Sequence, residues 1–114
     1  MSARYRSVDA ETAALLQYAD QCYLSSGGLF DITSGVLRRV WDFKRDPPRL
    51  PDPAALAAAV ALIDWQSVEW TQDSIRLLRV GMEIDFGGVG KEYVADRAAT
   101  ICLKAGVRHG IACL

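Results

Sequence analysis

Helical spacing in four segments, and two-residue alternation in the short runs among them, predict an α+β fold with helices packed on a small, mostly antiparallel sheet. The alternation lies in Ser67–Thr71, Ile75–Leu77 and Val80–Phe86, with a turn at Gln72–Asp73–Ser74. The chain has 114 residues, 51% of them hydrophobic, which allows one domain at most, with a real core.

Charged residues make up 24% of the chain, a globular composition and not a disordered one. A net charge of −1 gives no electrostatic case for nucleic acid or an anionic membrane. The longest apolar run, Ala54–Ile63, is too short to span a bilayer. The opening residues, MSARYRSVDAE, lack an apolar core, so no signal peptide is visible and the chain as it stands reads as cytoplasmic.

The first helix is expected from about Val8 to Ser25. Asp9 is its N-cap, Glu11 sits in the first turn, and Leu15, Leu16, Ala19, Cys22 and Tyr23 form the apolar stripe. Ser25–Gly28 ends it. Leu29 to Ile32 reads as a short buried segment. Asp31 or Thr33 then caps a second helix through Trp41, with Val36, Leu37, Val40 and Trp41 inward and Arg38 and Arg39 on a solvated face. Neighbours on a helix point in different directions, so the two arginines do not by themselves form a phosphate site.

All four prolines fall in Phe43–Pro53, an exposed loop within the domain. Asp52 as N-cap and Pro53 at the first helical position start a third helix to about Leu62, with Leu56, Val60 and Ile63 as its stripe. Trp65 and Trp70 are expected as core or hydrophobic-edge residues.

In Gly81–Ala99, the strand at Val80–Phe86 runs through Gly87, Gly88 and Gly90 into a last helix. Val94, Ala98, Ile101, Cys102 and Ala105 form its stripe, and Gly106 stops it. Glycines at a strand-to-helix junction let an anion or metal approach the backbone, and Lys91 stands in the first helical turn. The local pattern alone favours a tight turn with Lys91 solvated over an anion site, since it matches neither a Walker A loop nor G-x-G-x-x-G. Val107–Leu114 reads as a fourth strand. Cys22, Cys102 and Cys113 lack metal-ligand spacing, and the first two occupy core-facing helical positions expected of buried thiols. His109, the only histidine, reads as structural or solvated.

Two segments together resemble the FAD:protein FMN transferases, the ApbE-like family. Gly28–Trp41 matches a pattern G-x-F-D-x-T-x-G-x-L followed by tryptophan. Met82–Ala99 matches a strand ending in Asp, a glycine turn, Lys-x-Tyr and a further Asp; Glu92 replaces a glycine the family has between that Lys and Tyr. The resemblance covers nearly the whole chain. It implies an Mg²⁺-dependent transferase that takes FAD as substrate, attaches FMN to a Thr or Ser of an acceptor flavoprotein and releases AMP. It also implies FAD contacts at Leu29, Phe30, Asp31, Asp85 and Lys91, and a metal ligand in the backbone carbonyl of Gly88. Tyr93 and Asp96 match as well and read as helix packing and a surface position.

Family members are much longer, and often periplasm-facing lipoproteins. Residues 1–114 therefore correspond to the central part of such a domain, lacking an upstream segment and a C-terminal half, the latter of which another chain could supply. On this reading the chain alone binds FAD weakly or not at all and transfers no FMN. The readings from other classes are a non-catalytic FAD- or nucleotide-binding module and an inert remnant.

Overall fold

The computed structural model describes residues 4–113. Among them are four helices on a three-stranded antiparallel sheet. The order is β1 (Arg6–Ser7), α1 (Ala10–Ser25), a 3-10 helix (Ile32–Arg39), α2 (Pro53–Val60), a 3-10 turn (Trp65–Ser67), β2 (Val68–Trp70), β3 (Ser74–Leu77) and α3 (Gly90–Lys104).

The caps are those the sequence announces. Asp9 accepts from the Thr12 N–H at 2.7 Å, and Asp52 from the Ala55 N–H at 3.0 Å with Pro53 next to it. The second helix is a 3-10 helix and ends at Arg39, not Trp41. β2 and β3 pair as a hairpin, Val68 opposite Leu77 and Trp70 opposite Ile75. β1 completes the order β1-β3-β2, a strand with no alternation long enough to be read in the sequence. Tyr5 anchors it: its hydroxyl donates to Glu69 at 2.7 Å, and the Arg76 guanidinium lies 4.4 Å over its ring.

The core gathers Leu16, Ala19, Ile32, Trp65, Val68 and Met82, with Phe30, Trp70, Ile84 and Phe86 packed against it. Trp65 is thus a core residue, and its indole N–H donates to Asp20 on α1 at 2.8 Å. α2 rests on the 3-10 helix and buries Ala59, while Val60 from the expected stripe is half exposed.

Several expectations are corrected. Val80–Phe86 forms no ladder among the described residues. Gly81 breaks the run at φ +95°, and the segment's backbone bonds to other elements are from Asp85 N–H to Ile32 C=O at 2.9 Å and from the Gly90 N–H of α3 to Phe86 C=O at 2.7 Å. Residues 107–113 are exposed and form no strand, and Leu114 lies outside the described residues. A strand needs a partner for its backbone groups, which the described residues do not provide for either segment. α3 buries none of its residues: Val94, Ile101 and Leu103 are about half exposed or more. Cys102 is exposed and Cys22 half-buried, so neither is the buried thiol expected. Leu29, placed by the sequence in a buried segment, is 92% exposed. The radius of gyration is 17.2 Å, against about 13 Å for a compact chain of similar length, consistent with an outer helix that packs little.

Candidate functional site

One wall of the site begins where α1 stops. α1 ends in a Schellman turn: the Gly28 N–H donates to the Tyr23 carbonyl at 2.8 Å and the Gly27 N–H to Leu24 at 3.2 Å, with Gly27 at φ +64°. The Ser26 hydroxyl then accepts from the Phe30 N–H at 2.8 Å. This double stop turns the chain sharply and presents Leu29, Phe30 and Asp31 in sequence.

Asp31 caps the 3-10 helix and does more. Its Oδ1 accepts from the Thr33 N–H at 2.8 Å and the Thr33 hydroxyl at 2.6 Å, and its Oδ2 from the Trp65 N–H at 3.1 Å. Thr33 is fully buried, and its hydroxyl also accepts from the Asp64 N–H at 2.8 Å. One carboxylate and one hydroxyl therefore tie the start of the 3-10 helix to the entry of the β2–β3 hairpin.

The other wall is Ile84–Gly88. Gly35 allows its close approach: a Cβ there would stand 2.9 Å from Asp85 Cβ and 3.1 Å from the Asp85 nitrogen. Asp85 Oδ1 accepts from the Gly87 N–H at 2.8 Å, an Asx turn that bends the chain toward α3. A Cβ on Gly88 would come within 2.9 Å of the Phe30 ring, so the absent side chain lets the two walls meet. α3 then starts at Gly90, whose N–H donates to Phe86 at 2.7 Å; its N-cap, Val89, contributes no side-chain cap.

Between the walls lies an open cleft of about 500 Å³. Leu29, Phe30, Asp31, Asp85 and Gly88 all line it. Lys91 does not; it is exposed on the first turn of α3. Arg38 is exposed, as its position on the helix predicted, and it also lines the cleft. Its Nε bonds Glu83 Oε2 at 2.8 Å, while Arg39 holds Glu83 Oε1 at 2.7 Å. Gly35 and Arg38 are the residues that sequence reasoning passed over. The second glycine of the first motif was the available signal for Gly35, and Arg38 had none, because its partner is distant in the chain. Among the described residues no three His, Cys, Asp or Glu side chains cluster as a metal site. A second groove of about 460 Å³, between α3 and residues 107–113, is mostly apolar and contains none of the candidate site residues.

The bonds from Arg39, and then from Arg38, hold the Glu83 carboxyl below the usual carboxylate range. A lowered value adds stability above the unfolded-state pKa and loses it as pH falls through the folded value. Glu83→Gln should therefore lower stability at neutral pH and flatten the acid limb of a stability-versus-pH curve from thermal melts. An unchanged acid limb would mean the fork contributes nothing measurable.

The ApbE family model matches residues 2–113. An FAD:protein FMN transferase of Treponema pallidum (strain Nichols) is 30% identical over 97 residues, covering 79% of this chain and 27% of that protein. One from Klebsiella pneumoniae (strain 342) is 33% identical over 85 residues, covering 73% of this chain and 27% of that protein. The crystal structure of an ApbE protein from Thermotoga maritima superposes with a TM-score of 0.76 at 29% identity, covering 89% of this chain and 34% of that one. The chain thus spans about a third or less of the relatives it matches.

Proposed function

This chain belongs to the ApbE family, and on that premise we propose that it is the flavin-binding central part of an FAD:protein FMN transferase. The observation that carries this is convergence. The two motif segments, far apart in sequence, supply opposite walls of one cleft, with Leu29, Phe30 and Asp31 on one side and Asp85 and Gly88 on the other. In the proposed reaction a Thr or Ser hydroxyl oxygen of the acceptor flavoprotein bonds to the phosphorus next to riboflavin, and the bond to AMP breaks. The protein's part in such a displacement is mainly to position groups and stabilise charge.

Mg²⁺ would neutralise pyrophosphate charge when bound. The donors present are of the right kind, since the Gly88 carbonyl and the second oxygen of Asp85 are hard ligands. They are too few for the near-octahedral set that Mg²⁺ prefers. The remaining ligands would have to come from phosphate oxygens, water and the rest of a complete transferase. No residue of this chain is assigned as the base that takes the acceptor's proton. Lys91, in the first turn of α3, is proposed to meet FAD from the rim of the cleft.

The open cleft implies weak FAD binding and no FMN transfer by this chain alone. Titration with FAD, followed by flavin fluorescence, should show weak binding strengthened by Mg²⁺. Gly88→Val forces a side chain against Phe30 and should abolish both the binding and the Mg²⁺ response. No FAD binding by the natural chain, or full binding by the Gly88 variant, would refute the reading.

A further inference from the structure

The cleft contains two carboxylates, Asp31 and Asp85, yet FAD brings a pyrophosphate with two negative charges of its own. Among the described residues, the one cationic side chain lining the cleft is Arg38. Its environment is specific. Glu83 takes its Nε at 2.8 Å, and among the described residues neither Nη group of Arg38 has a protein partner. Arg39 donates from Nε to the other oxygen of the same Glu83 at 2.7 Å, and its Nη2 lies within ion-pair distance of that oxygen, also at 2.7 Å. Two guanidinium groups thus share one carboxylate, and the trio keeps one net positive charge. Glu83 is mostly covered, while the Arg38 side chain is 70% exposed.

We infer that Arg38 is the phosphate-reading group of the cleft, fixed through Nε by Glu83 and presenting its two Nη groups to the pyrophosphate of FAD. The inference rests on the flavin-binding reading above and adds the group that separates FAD from its phosphate-free core. A guanidinium suits this task because its planar fork can bond two phosphate oxygens side by side in a fixed geometry, whereas a lysine ammonium acts as a point charge with no fixed plane. Fixing one edge of the fork beforehand reduces the ordering lost when the ligand arrives. Arg39 keeps Glu83 neutralised, so the carboxylate does not repel the approaching anion. It reaches that carboxylate from outside the cleft lining and serves as a positioning residue.

The test compares FAD with riboflavin, which has the same ring system and no phosphate. Both are titrated into the full chain by flavin fluorescence, and each variant is checked by thermal melt. The natural chain should bind FAD more tightly than riboflavin, on the order of tenfold. Arg38→Gln should erase that difference and leave riboflavin affinity where it was. Arg39→Gln should keep it, and added salt should shrink it in the natural chain. Arg38→Lys keeps the charge without the fork, provides a second folded variant, and should retain only part of the discrimination. Full discrimination in either Arg38 variant would overturn the inference while leaving the flavin cleft in place, as would equal affinities in the natural chain. Binding of neither flavin by the natural chain would overturn the flavin reading itself, and this inference with it.

Discussion

Replacing Asp31 with alanine should cost about 2–4 kcal/mol of folding stability, summing a lost helix cap and buried donors left unpaired. The carboxylate accepts three bonds, from the Thr33 N–H, the Thr33 hydroxyl and the Trp65 N–H. On capping grounds alone, Asp31→Asn would be harmless, because asparagine caps helices as well as aspartate. The structure contradicts that expectation. Both carboxylate oxygens face donors, and an amide has only one oxygen, so its NH₂ must turn toward an N–H or a hydroxyl proton. Asp31→Asn should therefore lose about 1–3 kcal/mol. Thr33→Val breaks the same network at its buried end, and the double variant should lose less than the sum of the two. Urea melts measure all of these. An Asp31→Asn midpoint equal to that of the natural chain would show that the network is decorative.

Gly35→Val should separate the two walls of the cleft. The added side chain meets Asp85 Cβ at 2.9 Å and the backbone of Ile84 and Asp85 at 3.1 Å. These contacts are with backbone and a Cβ, not with the end of a flexible side chain, so they cannot be relieved by a rotamer change. Overpacking of this kind costs about 1–3 kcal/mol, sometimes more. The clash also works against the Asp85 N–H bond to Ile32, which holds the second wall in place. FAD binding should fall below detection even at temperatures where the variant remains folded. Gly35→Ala introduces the same Cβ with less bulk and should show the same direction. If Gly35→Ala keeps both the melting temperature and FAD affinity, the close approach of the walls is not what forms the site.

The sequence by itself determined the features that depend on neighbours within a few residues. Apolar spacing located α1, α2 and α3, and alternation located β2 and β3. The caps at Asp9, Asp31 and Asp52, and the glycine stop after α1, were legible because each acts on backbone groups only two to four residues away. The two motif segments were legible through their resemblance to a family pattern, which pointed to Leu29, Phe30, Asp31, Asp85 and Gly88, all in the cleft lining, and to Lys91, which is outside it. What only the tertiary structure decided depends on partners far along the chain. Arg38 and Glu83 are 45 residues apart, and no periodicity links them. Gly35 is a small residue in a helix until Ile84 and Asp85 are placed against it. Trp65 was expected in the core, but not as a donor to both Asp20 and Asp31. The same dependence explains the errors. Apolar alternation at Val80–Phe86 and helical spacing in α3 state which face seeks cover, not whether a partner covers it. Burial and ladder pairing are properties of two surfaces, and one stretch of sequence encodes only its own.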